Sequence, residues 1–338
     1  MIVNPNKTHV FDCIDGYTAG NPVRLVKSPK PKLKGATMAE KRIDFINRFD
    51  WIRKALVFEP RGHDLMSGGF YYPPLDPKND VAVLFIETSG CLPMCGHGLI
   101  GIVTMLLEKK LVKPQNPGVL NVETPSGLIT VTYSIENNQV QWVKLLNVPS
   151  FLYQKDMEVQ SFVLGKISVD IAYGGNFYAI IDSQTNYRDL EDYSVLQLIE
   201  MGREIRNAIN KKWHIEHPLD PKIKTCSHVL WTGKPKKSAS SARNAVLYGQ
   251  KAIDRSPCGT GTSARMAQWV TRNKLKVNET FVHESVIGST FIGRVESMAQ
   301  IGPYKGIIPS IQAHAKITGY NQIMLDPKDE YARGFQVI

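Results

Sequence analysis

Apolar side chains recur every three or four residues in two separated stretches of the chain, the spacing of a helix that buries one face. Over 39–56 the stripe is Phe45, Phe49, Ile52 and Leu56; over 189–211 it is Leu198, Gly202, Ile205 and Ile209. Two more helical stretches, 102–111 and 263–275, each follow a Cys-Gly loop. Runs with strand character lie at 81–87, 128–135, 140–146, 167–181 and 289–295. Loops rich in lysine, proline and serine at 27–34 and 234–241 punctuate them. The pattern predicts a mixed α/β chain.

The same order of features occurs twice. Asp15, Gly20 and Asn21 recur as Asp170, Gly175 and Asn176 at an offset of 155, each set followed by an apolar run. Met94-Cys95-Gly96-His97-Gly98 matches Pro257-Cys258-Gly259-Thr260-Gly261 at an offset of 163. Val122-Glu123, with Gly127 after it, matches His283-Glu284, with Gly288 after it, at an offset of 161. Three echoes in one order with nearly constant offset imply two similar halves of about 160 residues. The polar stretch 154–160 suggests a boundary there, giving halves 1–160 and 161–324, expected to face each other across a cleft.

Composition narrows the class without naming it. The 338 residues are 43% hydrophobic and 21% charged, which excludes disorder and leaves room for two packed domains. No apolar run approaches the roughly 20 residues that span a bilayer, and the opening residues lack the basic and apolar regions of a signal peptide. A soluble cytoplasmic protein with no membrane partner is expected. The net charge of +10 invites a nucleic-acid partner. Its basic runs, however, are short, interrupted by proline or serine, and free of interleaved aromatics, so they read as solvated loops. Five cysteines, an odd and sparse set, read as reduced thiols rather than a disulfide framework. No zinc-ligand spacing or phosphate-binding loop stands out, so no metal is expected. The Gly96–Gly101 glycine pattern follows a Cys-Pro loop and is a weak dinucleotide signal.

Two of the five cysteines stand apart. Cys95 and Cys258 each precede a helix among glycines, where unpaired N–H groups and the positive end of the helix dipole favour thiolate and carboxylate. Two such helix starts converging on one small molecule would bring one thiol each. One thiolate could take a proton from a carbon while the other thiol returns one to the opposite face, inverting the centre. Two rival chemistries remain open: a redox pair, and a Cys95–His97 nucleophile and base for acyl transfer. The latter has no counterpart in the second half, where Thr260 stands. Cys13, Cys91 and Cys226 read as packing.

At these residues the sequence resembles the proline racemase family over nearly its whole length, and most of all its 4-hydroxyproline 2-epimerase branch. Asp254-Arg-Ser-Pro-Cys258-Gly-Thr-Gly-Thr-Ser-Ala264 reads as the family's second-cysteine motif without a change. Met94-Cys-Gly-His-Gly98 is similar to its first-cysteine motif. Glu59-Pro-Arg-Gly-His-Asp64 is similar to its early segment, and Ala172-Tyr-Gly-Gly-Asn-Phe177 to its glycine-asparagine segment. The resemblance implies a diaminopimelate-epimerase-like fold: two pseudo-symmetric halves, each a barrel-like sheet around a central helix, with the active site in the cleft between them. It also implies that the tail, about 325–338, returns to the first half, and that the protein is a monomer or homodimer.

Carried over position by position, Cys95 and Cys258 would be the catalytic acid–base pair, with no cofactor. Backbone groups of Gly96, His97, Gly259 and Thr260 would hold the substrate carboxylate, Asp254 the ring ammonium, and His228 would lie near the substrate. The implied reaction converts trans-4-hydroxy-L-proline to cis-4-hydroxy-D-proline; proline racemisation is the alternative. Dehydration of trans-3-hydroxyproline is disfavoured, because the dehydratase members replace the second cysteine. Retention of both thiols disfavours a non-catalytic amino-acid-binding protein. Ser67 stands where proline racemases tend to carry phenylalanine, which would leave room for a ring hydroxyl, and Tyr248 falls where a ring-packing aromatic is expected. Tyr17 and Leu99 depart from the family pattern, and Leu99 is expected close enough to the site to alter substrate preference.

Overall fold

Each apolar stripe read from the sequence closes onto a sheet of its own. The structure, a computed structural model, describes residues 3–337. Met1, Ile2 and Ile338, at the ends of the expected halves, lie outside the described residues. The chain divides into two units, one running to Leu145 and resuming at Ala313, the other Leu146–Gln312.

The first unit contains β1 (His9–Thr18), β2 (Asn21–Ser28), α1 (Met38–Val57), β3 (Ser67–Tyr72), β4 (Val81–Glu87), α2 (Gly96–Glu108), β5 (Val119–Thr124), β6 (Gly127–Glu136) and β7 (Gln139–Leu146). The second contains β8 (Ser150–Ser161), β9 (Gly165–Tyr173), β10 (Phe177–Ile181), α3 (Val195–Lys212), β11 (Glu216–His217), β12 (Asp220–Lys224), β13 (His228–Gly233), β14 (Ala242–Tyr248), β15 (Ala252–Ile253), α4 (Gly259–Thr271), β16 (Thr280–Glu284), β17 (Thr290–Ile301) and β18 (Tyr304–Ala313). The last strand, β19 (Ala315–Leu325), belongs to the first unit and pairs antiparallel with β1 along its whole length, from His9 opposite Leu325 to Thr18 opposite Ala315.

The two units share one strand plan. In the second, β8, β9, β10, β13, β14, β16, β17 and β18 pair in that order, and β18 returns to β8, closing an eight-stranded barrel. In the first, β19, β1, β2, β3, β4, β5, β6 and β7 follow the same order. In both, the only parallel steps are the two that contain a helix: β2 to β3 and β10 to β13 through α1 and α3, then β4 to β5 and β14 to β16 through α2 and α4. Parallel neighbours need a crossover, and the helices supply it.

This plan moves the expected boundaries. Residue 160 falls inside β8, which is bonded to β9, so the division comes at Leu145/Leu146 instead. The returning segment starts at Ala313 rather than 325, because the first barrel takes its eighth strand from the chain's far end. The predicted strand 167–181 is two strands, parted at Gly174-Gly175 with Gly175 at φ 115°. The predicted helix 189–211 begins at Val195, because Ser194 caps it with Gln197 in a capping box. Thr37 and Glu40 do the same for α1.

Phe45, Phe49, Ile52 and Leu56 of α1 pack against Phe11, Val26, Phe70 and Leu84 of the first sheet. At roughly 2 kcal/mol for each buried side chain, this packing outweighs the helix's own propensity. Leu198, Ile205 and Ile209 of α3 pack on Trp231 and Leu247 in the same way. By contrast, α2 is buried on every side from Gly98 to Leu107, and α4 from Gly261 to Gln268. These are the central helices, and their starts carry Cys95 and Cys258. Among the described residues no helix is long and apolar enough to cross a membrane.

The repeated acidic residues turn out to be structural. Glu123 accepts the backbone N–H groups of Leu75 and Asp76, and Glu284 those of Lys236 and Lys237, so each ties down the loop before β4 or β14. Asp15 pairs with Arg24, and Asp170 with Arg272.

Candidate active site

Cys95 is the N-cap of α2, and its Sγ accepts the Gly98 N–H at 3.3 Å. The first helical bond runs from Leu99 N–H to the Cys95 carbonyl, so the N–H groups of Gly96 and His97 head the helix ahead of it. His97 is held at both ends. Thr18 Oγ1 donates to its carbonyl at 2.8 Å, and its ring Nε2 meets Ser67 Oγ at 2.8 Å. Ser67 Oγ also donates to the Pro22 carbonyl at 2.7 Å. A hydroxyl has one proton, and a carbonyl can only accept; Ser67 therefore accepts from Nε2–H. That assigns the tautomer and leaves the ring's free lone pair on Nδ1; Cys95 Sγ lies beside the ring, 3.6 Å from Nδ1 and 3.9 Å from Nε2. The buried Glu87, at the end of β4 opposite Ser67, brings a carboxylate within 4.8 Å of Cys95 Sγ and a His97 ring nitrogen.

The second half-site is built differently. Cys258 has φ 64°, a left-handed conformation that is strained for a side chain with a Cβ. A buried polar cluster secures that bend. Asn244 Nδ2 donates to the Pro257 carbonyl at 2.8 Å, Thr262 Oγ1 donates to it at 3.3 Å, and His283 Nδ1 lies 2.9 Å from Thr262 Oγ1. The positions equivalent in the first half are Val83, Leu99 and Val122, all apolar and buried. There Cys95 sits at φ −143° and needs no such support. Asp254 accepts both the N–H and the hydroxyl of Ser256 at 2.8 Å, and Ser256 Oγ accepts Cys258 N–H at 3.1 Å. Tyr178 OH reaches Cys258 Sγ at 3.3 Å and Thr260 Oγ1 at 2.6 Å.

The electrostatics of Cys258 favour the protonated thiol. Desolvation, then the Asp254 charge, push its pKa up to about 12, only partly offset by the Tyr178 and Thr260 hydroxyls. Burial likewise holds Tyr178 protonated and pushes His228 down to about 4, so His228 is neutral; it hydrogen-bonds Ser227 through Nδ1 at 2.7 Å and lies 4.8 Å from the Tyr178 ring. Cys13, Cys91 and Cys226 are buried with pKa values near 12, as packing thiols should be.

Cys258 is partly exposed, yet its thiol is held protonated, and the thiolate is the nucleophile. Iodoacetamide is expected to alkylate Cys258 slowly at neutral pH, gaining about tenfold in rate per pH unit as the solution turns alkaline. Peptide mass mapping reads the site; rapid labelling at pH 7 would contradict a protonated Cys258.

The chain matches the proline racemase family model over residues 13–336. It belongs to the proline racemase family. It is 57% identical over 329 residues to a 4-hydroxyproline epimerase of Brucella ovis, covering 97% of this chain and 99% of that protein. Among solved structures it is similar to a hydroxyproline epimerase from Agrobacterium vitis with bound trans-4-hydroxy-L-proline. That likeness has a TM-score of 0.84 at 27% identity and covers 97% and 95% of the two chains. A phenazine biosynthesis protein of the PhzF family from Bacillus anthracis shares the fold, with a TM-score of 0.62 at 10% identity over 93% of this chain and 99% of that one.

In this proline racemase family member the sequence-predicted residues fall into two clusters: Ser67, Cys95, Gly96 and His97 in one unit, His228, Asp254, Cys258, Gly259 and Thr260 in the other. Tyr248, the last residue of β14, lies one step beyond the Leu247–Val229 pair, at the level of His228. Leu99 is fully buried inside α2, so it touches the site only through the turn it shares with Cys95. Sequence reading missed Glu87, Tyr178, Ser256 and the Asn244–Thr262–His283 cluster. Only Glu87 carried a signal, as the one charged residue of a fully buried strand.

Proposed function

We propose that this chain is a cofactor-independent epimerase that inverts the α-carbon of 4-hydroxyproline, using Cys95 and Cys258 as the two proton-transfer groups. The observation that carries the reading is the pair of thiols heading two equivalent helices, one beside a histidine ring and the other held protonated. The Brucella ovis and Agrobacterium vitis relatives support the substrate class.

Cys95 thiolate takes the α-hydrogen as a proton, and the electron pair is delocalised from the α-carbon into the carboxylate. Cys258 S–H then delivers a proton from the opposite face. The enzyme is left with Cys95 protonated and Cys258 as thiolate, the form that runs the reverse reaction. Helix-terminal N–H groups of Gly96, His97, Gly259 and Thr260 would neutralise the growing charge on the carboxylate. Asp254 would bind the ring ammonium, with His228 beside the ring.

Chiral chromatography of reactions with trans-4-hydroxy-L-proline, L-proline and trans-3-hydroxy-L-proline, run side by side, tests this. The expected product is cis-4-hydroxy-D-proline from the first. Racemisation of proline alone would favour the proline racemase reading, and loss of water from the third the dehydratase reading.

Ser67 gives a sharper test of specificity. Its hydroxyl proton is committed to Pro22 and one lone pair to His97, so it can meet a ring hydroxyl only as an acceptor. Phenylalanine there fills the space and removes that acceptor. Ser67→Phe is expected to lower kcat/KM for hydroxyproline relative to proline by roughly tenfold to a hundredfold. An unchanged ratio would remove Ser67 from the specificity argument.

A further inference from the structure

We infer that Glu87, Cys95 and His97 form a binding site for a borderline-soft divalent transition ion such as zinc, and that occupancy switches the enzyme off. The inhibitory part rests on the proposed role of Cys95; the binding part does not. The three residues offer a thiolate, an imidazole nitrogen and a carboxylate oxygen within 4.8 Å of one another, the ligand types zinc selects. Sγ lies 3.6 Å from Nδ1 and 3.9 Å from Nε2, so the Cys95 side chain must turn toward the Nδ1 lone pair for both to hold one ion at bond lengths of about 2.3 and 2.0 Å.

Two features make this more than a chance grouping. The Nε2–H bond to Ser67 leaves the ring's free lone pair on Nδ1; ligating histidines are oriented by such a bond through their other nitrogen. Glu87 is also buried, and its Oε2 accepts a long 3.3 Å bond from the Ser89 hydroxyl. The second half carries no such set. The equivalent positions are Tyr248, Cys258 and Thr260, so the site belongs to one thiol and the other is an internal control. Three protein ligands leave a fourth position open to water or to a substrate carboxylate. With Sγ bound to the ion, its lone pair cannot take the α-hydrogen.

Cobalt(II) is the probe, because thiolate ligation gives it a near-ultraviolet charge-transfer band. Titration of the full-length wild-type protein is expected to develop that band at one cobalt per chain, zinc to abolish it by displacement, and zinc to inhibit turnover until a chelator is added. Cys95→Ser should lose the band and Cys258→Ser should keep it. Glu87→Gln and His97→Gln should each weaken cobalt binding roughly a hundredfold, and Ser67→Ala about tenfold through the lost orienting bond. No band in the wild type, a band of unchanged affinity in Glu87→Gln, or loss of the band in Cys258→Ser would overturn the site. A normal band with turnover unaffected by zinc would leave the site standing, and would overturn both the inhibition and Cys95's role as a base.

Discussion

Serine at either Cys95 or Cys258 is expected to lower the rate of epimerisation by about 10³- to 10⁴-fold, at the upper end of what a positioned acid or base contributes. A serine hydroxyl is too weak an acid to replace a thiolate base, or to be left as the conjugate base of the proton donor. The fold should survive. Cys95 caps α2 through its sulfur, and serine is a preferred N-cap, so Cys95→Ser should melt no lower than wild type. At Cys258 the hydroxyl inherits the Tyr178 contact. Hydrogen exchange in heavy water gives the sharper readout. With both thiols in place, either epimer exchanges its α-hydrogen; with one removed, exchange should persist for at most one epimer and inversion should stop. A variant that still inverts at near the wild-type rate would refute the two-thiol assignment.

The fold was legible wherever the sequence repeats itself, because a repeat needs no knowledge of long-range pairing. The stripes of α1 and α3 follow from spacing alone, and both are buried where expected. The eighth strand of the first barrel was not legible in place. β19 carries exposed Tyr320 and Met324 among its residues, and its partner β1 lies some three hundred residues earlier, so no local signal ties them. The same lack of local signal put the expected boundary inside β8: the polar run 154–160 that suggested it is part of a strand whose exposed residues alternate with buried Met157 and Val159, and the Asp156 N–H donates to Asp170.

The site was legible as chemistry but not as environment. Cys95 and Cys258 look alike in the chain, and their motifs differ at few positions. What separates them is three-dimensional: a histidine oriented by Ser67 from another strand on one side, and on the other a strained backbone over Asn244, Thr262 and His283. Leu99 was expected close enough to the site to alter substrate preference. It is the fully buried apolar counterpart of Thr262, and marks the half that lacks the polar support.

The second large effect lies in the glycine turn between β9 and β10. Gly174→Ala is expected to destabilise the protein by about 3 kcal/mol, the upper part of the usual range for overpacking, and to cut turnover by about a hundredfold. A Cβ at Gly174 would lie 2.2 Å from the Thr260 carbonyl oxygen and 2.5 Å from the Ala264 nitrogen. Both are backbone atoms of the first turns of α4, so no side-chain rotation relieves the clash. The β9–β10 turn must back away or the start of α4 must shift. Asn147 makes the first option costly, because its Nδ2 bridges the Gly174 carbonyl and Ser263 Oγ, each at 2.8 Å. A shift of α4 moves Thr260 N–H and Cys258 together, and misplacement by about 1 Å is enough for a hundredfold loss. Gly175→Ala, strained by φ 115° but clashing only with the Thr260 side chain, should lose stability with a smaller loss of turnover. Thermal melts and kcat measured on the two variants separate the effects. If Gly174→Ala turns over as fast as wild type, the close approach of that turn does not set the position of the second thiol.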